Sequence, residues 1–268
     1  MACDLFFIKT DTHNQVTELS IFNILLIAVF SVSLFVFILL FFISAPYGRH
    51  VRKGWGITLK AKFGWFLMEF PSFAIIIILF FIGNKKVNPV AIVFLIYWSV
   101  HYFHRTMVYP FMMKGGNKKF PVLILAFALI FNFVNAYLNG RYLYFFSSPY
   151  SVNWFIDARF IIGSILFITG MFVNIQSDYI LLKLRRNGDN AYIIPYSGFF
   201  RFVSSPNYFG EIIEWIGWAV LTWSLAGLAF AVFTAANLAP RAYSNHEWYK
   251  NKFLEYPKER KALIPFIY

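Results

Sequence analysis

The chain has 268 residues, of which 59% are hydrophobic and 13% are charged, and its formal net charge is +12. One soluble core could not bury this much apolar surface, so the composition excludes an ordinary soluble domain and predicts a membrane protein. The single cysteine excludes an intramolecular disulfide framework and a cysteine-based metal cluster, and we expect no metal site.

The first eighteen residues do not have the pattern of a secretory signal peptide. They carry Asp4, Asp11 and Glu18 against Lys9 and lack a basic start, so we expect the first apolar run to be retained as a membrane span. A bilayer core takes about 20 apolar residues per helix. By this measure the sequence predicts seven transmembrane helices, at about 19–45, 65–83, 88–112, 120–146, 156–182, 207–223 and 225–243.

Most of the 24 lysines and arginines lie in alternate connections between these spans. The positive-inside rule then places the N-terminus outside and the C-terminus in the cytoplasm. Because the basic residues lie in short loops and not on one soluble face, we expect no nucleic-acid binding. The segment from Trp223 to Gly227 predicts a tight turn between the last two helices. No linker interrupts the chain, so we expect one domain over 1–268.

Several apolar spans contain polar or charged side chains. Each charged group near mid-membrane costs about 2.5–3.5 kcal/mol on insertion scales, so a chain that keeps several of them is expected to gather them around one enclosed polar site. This pattern predicts a membrane enzyme. The residues concerned are Glu69, His101, Tyr102, Arg105, Asn174, Asp178, Asn207, Glu211 and Glu214.

Glu69 and Tyr102 lie in neighbouring spans. A phenol oriented by a carboxylate can donate a hydrogen bond to a carbonyl oxygen and stabilise the enolate that forms there. His101 and Arg105 lie four residues apart on one helical face beside the tyrosine. Taken alone, each of these residues can also be a structural contact between helices, and for His101 and His104 we favour that interpretation.

The longest polar stretches, about 183–206 and 241–268, lie on the cytoplasmic side in this orientation. A soluble cofactor would meet the protein there. Asn174 and Asp178 share a helical face just before the first stretch.

The start of the sixth span carries a helix-capping pattern. Ser205 is a candidate N-cap and Pro206 the first helical residue, and free N–H groups at such a start favour phosphate. Glu211 and Glu214, three residues apart, share a face and could accept hydrogen bonds from ribose hydroxyls or an amide. A structural carboxylate is the alternative, and it applies more to Glu214 than to Glu211.

Several short motifs follow one another from about Trp65 to the C-terminus. In this order they resemble the steroid 5α-reductase family. The resemblance implies a seven-helix membrane reductase that takes a hydride from NADPH and saturates the Δ4 double bond of a 3-oxo-steroid, giving a 5α-dihydrosteroid. The motifs are Glu69 before Pro71-Ser72-Phe73-Ala74, Val100-His101-Tyr102-Phe103-His104-Arg105-Thr106, Asn174-Ile175 with Ser177-Asp178-Tyr179, Gly210-Glu211-Ile212-Ile213-Glu214-Trp215, and Tyr256-Pro257-Lys258 with Arg260-Lys261-Ala262-Leu263.

The resemblance also assigns roles to residues. Glu69 and Tyr102 match the pair that holds the 3-keto oxygen, and we add Arg105 and Glu214 to the expected substrate-binding residues. A lipid or steroid half at about 19–150 then precedes a cofactor half at about 156–268. The implied NADPH-binding residues are Asn174, Asp178, Arg185, Tyr192, Asn207, Glu211, Arg241 and Tyr249.

Some positions depart from the family pattern. Met68 stands where relatives have glutamine, Ile193 stands where they have arginine, and the loop Lys114–Lys119 differs. These departures leave open which basic residues bind the 2′-phosphate. The candidates are Lys183, Arg185, Arg186 and Arg241.

Other interpretations remain open. A related membrane reductase could act on an enoyl-CoA or a polyprenal with the same cofactor half, a membrane methyltransferase could use the segment around Asn207 for a nucleoside cofactor, and a non-catalytic protein could bind sterol. The expected partners are a steroid or sterol-like lipid and the bilayer, and the sequence is compatible with a monomer. The expected location is the endoplasmic reticulum membrane in a eukaryote or the inner membrane in a bacterium.

Overall fold

The structure is a computed structural model that describes residues 13–46, 48–50, 52, 54–85, 88–113, 118–184 and 192–268, with the backbone alone for 13–16. Arg185, Arg186 and the loop positions 114–117 lie outside the described residues.

Helices dominate the described chain. The α-helices are α1 (His13–Phe42), α2 (Ala61–Ile82), α3 (Pro89–Phe103), α4 (Tyr109–Met112), α5 (Val122–Arg141), α6 (Ala158–Leu184), α7 (Pro206–Thr222) and α8 (Leu225–Lys252). Two π-helical turns, His104–Val108 and Tyr142–Phe146, follow α3 and α5. Short 3₁₀ turns lie at Gly48–His50, Val152–Ile156 and Gly198–Arg201.

Five helical segments are long and apolar enough to cross a membrane, which makes this an all-α membrane protein. The third predicted span is divided into α3, a π-helical turn and the four-residue α4, and the sixth, α7, has only 17 residues. Membrane crossing by these two segments and the orientation of the termini stay predictions. The five qualifying segments are Thr17–Phe42, Ala61–Ile82, Val122–Phe146, Ala158–Leu184 and Leu225–Lys252.

The predicted turn between the last two helices is present but shorter than expected. Only Trp223 and Ser224 separate α7 from α8, and Leu225 to Gly227 already belong to α8. Trp223 adopts a left-handed conformation with φ 44°. The Ser224 hydroxyl accepts a 3.0 Å hydrogen bond from the Gly227 N–H and so caps α8. At its other end α8 extends to Lys252, past the predicted end at 243.

A short antiparallel strand pair was not predicted. Strand β1 (Thr58–Lys60) pairs with β2 (Lys119–Pro121), with Leu59 opposite Phe120. The segment at 120–121, predicted as the start of a membrane helix, therefore belongs to a strand, and α5 begins at Val122. The pairing brings the basic segment before α5 next to the start of α2.

Helices α6 and α7 are in backbone contact. A Cβ atom built on Gly170 of α6 would lie 2.3 Å from the Glu214 nitrogen, and one built on Gly210 of α7 would lie 2.5 Å from the Asn174 nitrogen. Gly163 and Gly217 make equally close approaches one heptad away on each helix. Because glycine has no side chain, the two helices lie close enough for the polar residues of α6 to reach α7 directly.

Aromatic side chains pack around α3. The ring centroid of buried Trp98 lies 5.0 Å from that of Tyr102, 5.5 Å from Trp215 and 5.2 Å from Trp218. The Trp98 indole N–H donates a 2.9 Å hydrogen bond to the Ser72 carbonyl oxygen of α2. Large rings with satisfied indole donors fix α3 against α2 and α7, and so fix the position of Tyr102.

Gly170→Ala is expected to destabilise the protein. Its methyl group would meet the backbone of Glu214 and Gly210, which cannot move aside as a side chain can, and overpacking of this kind costs about 1–3 kcal/mol. The measurement is thermal unfolding in detergent. Thr169→Ile, which also adds bulk but at an exposed position next along the helix, is the control and should leave the midpoint nearly unchanged. Equal midpoints for both variants would contradict the close contact.

Candidate active site

Arg105 lies at the centre of a buried charge network. It belongs to the π-helical turn His104–Val108 and is 6% exposed. Its guanidinium donates a 3.0 Å hydrogen bond to Asp178 Oδ2 and lies 4.0 Å from Glu211 Oε2. The guanidinium carbon also lies 4.8 Å from the ring centroid of Trp65 and 5.0 Å from that of Tyr109. Two carboxylates and two rings thus compensate this buried cation.

Amide side chains extend this network between α6 and α7. Asn207 donates a 3.0 Å hydrogen bond to the second oxygen of Asp178. The Asn174 amide lies 2.9 Å from the carbonyl oxygen of Asn207 and 3.2 Å from Glu211 Oε2, and it donates to both. Four residues predicted to bind the cofactor are therefore brought together on adjacent helical turns.

Glu69 and Tyr102 lie next to this network. Both side chains are buried, Glu69 on α2 and Tyr102 on the neighbouring α3. Asn132 of α5 donates a 2.6 Å hydrogen bond to the Met68 carbonyl oxygen, one residue before Glu69. This contact holds α2 where Pro71 interrupts its backbone hydrogen bonds.

Glu214 is paired with His101. Its Oε1 lies 2.7 Å from His101 Nδ1, while its Oε2 is buried and has no hydrogen-bond partner among the described residues. The His101 ring also packs edge-on against Trp215, with centroids 4.6 Å apart. Glu214 thus contacts a residue of α3, and its predicted role in substrate binding stays a prediction.

A cavity opens beside Asp178. Predicted cofactor-binding residues form part of its wall, and basic residues that the sequence did not assign to a site form another part. The first group is Asp178, Tyr192, Asn207 and Arg241. The second group is Arg49, His50, Lys118 and Lys119.

Comparisons with known proteins identify the family of this chain. The family model of 3-oxo-5-alpha-steroid 4-dehydrogenases matches residues 118–268. The chain belongs to this family. It is 46% identical to steroid 5-alpha-reductase DET2 of Arabidopsis thaliana over 86% of this chain and 90% of that protein. It is 42% identical to human 3-oxo-5-alpha-steroid 4-dehydrogenase 1, over 84% of this chain and 87% of that protein. The resemblance seen in the sequence is confirmed.

Of the other predicted cofactor residues, Tyr249 packs against Arg49 of the cavity wall, and Arg241 lines the cavity itself. Tyr249 is 1% exposed and stacks on Tyr256, with ring centroids 5.2 Å apart. Arg241 donates a 3.0 Å hydrogen bond to the Tyr208 hydroxyl. Lys183, a candidate for the 2′-phosphate, is exposed on α6 and is not among the residues that line the cavity, and Arg185 lies outside the described residues.

The helix start before α7 differs in detail from its prediction. Ser205 occupies the N-cap position and Pro206 opens the helix, but the Ser205 side chain makes no capping hydrogen bond. Its hydroxyl instead accepts a 3.2 Å hydrogen bond from Asn245 of α8. The amide oxygen of Asn245 lies 3.1 Å from His50 Nε2. Burial lowers the pKa of His50, so near pH 7 the ring is neutral and donates this hydrogen bond.

Sequence reasoning missed Arg49 and His50 as site residues. It used the basic residues of this loop only to orient the chain in the membrane. Their signal is local: Gly48, with φ 64°, opens the turn that directs the next two side chains into the cavity wall. The pattern Gly-Arg-His identifies a turn, but the partners of the turn come from α8 and cannot be seen in the sequence.

Arg105→Gln is expected to destabilise the protein strongly. The change leaves buried Asp178 and partly buried Glu211 without a counter-charge, which costs on the order of 3–5 kcal/mol. Thermal unfolding in one detergent measures the effect. Adding Asp178→Asn to Arg105→Gln should restore part of the loss, because it removes one of the uncompensated charges.

Lys250→Gln is the control for this prediction. Lys250 pairs with Glu247 at 2.9 Å at an exposed position, where such pairs contribute little. Similar unfolding midpoints for the Arg105 and Lys250 variants would contradict a central role for the buried ion pair.

Proposed function

We propose that this protein catalyses the NADPH-dependent reduction of the Δ4 double bond of 3-oxo-Δ4-steroids to 5α-dihydrosteroids. The observation that carries the proposal is that Glu69, Tyr102 and the Arg105 network are all buried, with Glu69 and Tyr102 on the neighbouring helices α2 and α3. The relatives are named for a 5α-reductase or 3-oxo-5α-steroid 4-dehydrogenase activity, which supports the same chemistry here.

Tyr102 and Glu69 supply the electrophilic half of this reaction. The Tyr102 hydroxyl donates a hydrogen bond to the 3-keto oxygen of the steroid. Glu69 orients this hydroxyl toward the keto oxygen. Polarisation of the carbonyl makes the β-carbon of the enone electron-poor, and the negative charge that develops on the oxygen is stabilised where water is excluded. Addition of a hydride to this β-carbon gives the enolate, and a proton from the solvent added at the α-carbon completes the reduction.

The residues around the cavity fit a phosphorylated dinucleotide. Asp178 lines the cavity and is held by Arg105 and Asn207, so it is positioned to accept hydrogen bonds from ribose hydroxyls. Glu211 is oriented by Asn174 and provides a second acceptor. When bound, NADPH supplies the hydride. The basic residues that also line the cavity, among them Arg49, Lys118 and Lys119, suit its phosphates.

The membrane arrangement is part of the proposal. We infer that all seven predicted segments span the bilayer, with the N-terminus outside and the C-terminus in the cytoplasm. The first part of the chain, at about 19–150, is the steroid half and supplies Glu69 and Tyr102. The second part, at about 156–268, is the cofactor half and supplies Asp178 and Asn207. The Arg105 contact with Asp178 joins the two halves.

One experiment separates the proposed activity from its alternatives. Purified protein is mixed with NADPH and either a panel of 3-oxo-Δ4-steroids, an enoyl-CoA or a polyprenal, and the loss of NADPH absorbance is followed. Consumption with the steroids alone, together with 5α-dihydrosteroid by mass spectrometry, supports the proposal. Consumption with the other substrates alone identifies a related reductase. No consumption with any of them favours the methyltransferase or a sterol-binding protein.

Tyr102→Phe and Glu69→Gln are each expected to lower kcat for a 3-oxo-Δ4-steroid by roughly 10²-fold or more, the scale for loss of an electrophilic or general-acid group. NADPH affinity should be largely unchanged. Tyr97→Phe is the control, because it removes a phenolic hydroxyl group from the same helix. The Tyr97 ring stacks on Phe167. Full activity of Tyr102→Phe in detergent-purified protein would rule out the carbonyl contact.

Asn207→Ala and Glu211→Ala are expected to weaken NADPH binding, because each removes a group of the Asp178 network. Steroid affinity measured at saturating NADPH should change less. Direct titration with NADPH is the measurement. Asn153→Ala and Glu255→Ala, which remove the same groups at exposed positions, are the controls. Unchanged NADPH affinity in both site variants would place the dinucleotide elsewhere.

A further inference from the structure

Arg49 is held in the cavity wall by aromatic rings. Its guanidinium carbon lies 4.5 Å from the ring centroid of Tyr249, 5.0 Å from Trp248 and 5.4 Å from Tyr192. The rings come from two parts of the chain, the segment after α6 and the end of α8. Ring faces attract a cation and hold its plane, but they provide no strong hydrogen-bond acceptor.

The hydrogen-bonding capacity of Arg49 is not used up by this packing. Its NH1 group is buried and has no hydrogen-bond partner among the described residues. A buried guanidinium nitrogen without an acceptor is costly, and a bound anion is the natural acceptor for it. Because Arg49 lines the cavity, such an anion would enter from the cavity.

The surrounding charge favours an anion with more than one negative charge. Lys118, Lys119 and Arg241 line the same cavity, and the Lys118 ammonium lies 5.0 Å from the Tyr192 ring centroid. Asp178 is the acidic residue among the described residues that line it, and it is already bonded to Arg105. A phosphomonoester carries about −1.5 to −2 charge near pH 7 and matches a guanidinium with two parallel hydrogen bonds.

We propose that Arg49, preorganised by Tyr192, Trp248 and Tyr249, binds the 2′-phosphate of the nucleotide and sets the preference for NADPH over NADH. This inference rests on the proposed function. It assigns the phosphate contact to Arg49 of the loop before α2, whereas the sequence suggested Lys183, Arg185, Arg186 and Arg241. The departure at Ile193, which is exposed, then leaves the phosphate site intact.

The test is the affinity of the full-length protein in lipid nanodiscs for NADPH and NADH, measured by calorimetry without steroid. Arg49→Gln should lower NADPH affinity by roughly 10- to 100-fold and leave NADH affinity nearly unchanged, because the lost contact is a charge-assisted hydrogen bond to a group that NADH lacks. Arg49→Lys, which keeps the charge but not the planar pair of donors, should lose less.

Arg52→Gln is the matched control. Arg52 lies in the same loop, its guanidinium carbon is 5.6 Å from the Trp55 ring centroid, and it is not among the residues that line the cavity. This variant should keep the wild-type ratio of NADPH to NADH affinity. Retained NADH binding by the Arg49 variants serves as their folding control, and Arg49→Lys carries the test where Arg49→Gln does not fold.

Lowering the pH supplies a second readout. A phosphomonoester takes up a proton near pH 6, so the wild-type preference for NADPH should shrink as the pH falls from 7.5 to 5.5. The smaller preference of Arg49→Gln should change less over the same range. A pH dependence in Arg49→Gln as large as that of the wild type would overturn the proposal.

The remaining outcomes distinguish this inference from the function on which it rests. If Arg49→Gln keeps the wild-type preference for NADPH, the role of Arg49 is overturned, but the proposed function is not. Equal losses of NADPH and NADH affinity would also overturn it, since the residue would then contact the shared part of the nucleotide. Wild-type protein that binds neither nucleotide would overturn the proposed function together with the inference.

Discussion

A buried arginine in contact with carboxylates from two helices fixes the architecture of the site. Arg105 donates to Asp178 of α6 and lies 4.0 Å from Glu211 of α7, and all three charges are largely removed from water. Separating them would leave uncompensated charge in a medium of low dielectric constant, which costs several kcal/mol per ion. The turn after α3 must therefore meet α6 and α7 at one point, and Tyr102, three residues before Arg105, is carried to the same point.

The contact between α6 and α7 makes this network possible with short side chains. Asn174 reaches the backbone oxygen of Asn207 at 2.9 Å because Gly170 and Gly210 bring the two helix backbones together. A Cβ atom at either glycine would lie within 2.5 Å of the facing backbone, so the helices would have to move apart and the hydrogen bonds between them would lengthen. Lipid tails are as apolar as the helices, so the hydrophobic effect contributes little to helix association in a membrane. Close packing at small residues and hydrogen bonds between helices stabilise the association instead.

The sequence predicted the members of this network because intramembrane polar residues are costly and are expected to cluster. That reasoning found Asp178, Asn207 and Glu211, and the family resemblance implied that they bind the cofactor. It did not predict the pairing of β1 with β2 or the length of α8, since three-residue strands and a polar helix end have no distinct hydrophobic pattern. The bond from Asn245 to Ser205 was also missed, because the local capping pattern gives no sign of a competing partner from α8.

Two arginines of this chain show how surroundings decide what one side-chain type can do. The charge of Arg105 is compensated by the carboxylates of Asp178 and Glu211, and these ion pairs hold the helices together. Arg49 is held by three rings that stabilise its charge without accepting its hydrogen bonds. The cavity therefore has a wall that attracts anions and, at Asp178, a wall whose charge is already balanced. Under the proposed function, this asymmetry favours a nucleotide that binds with its phosphate at Arg49 and its less charged part nearer Asp178.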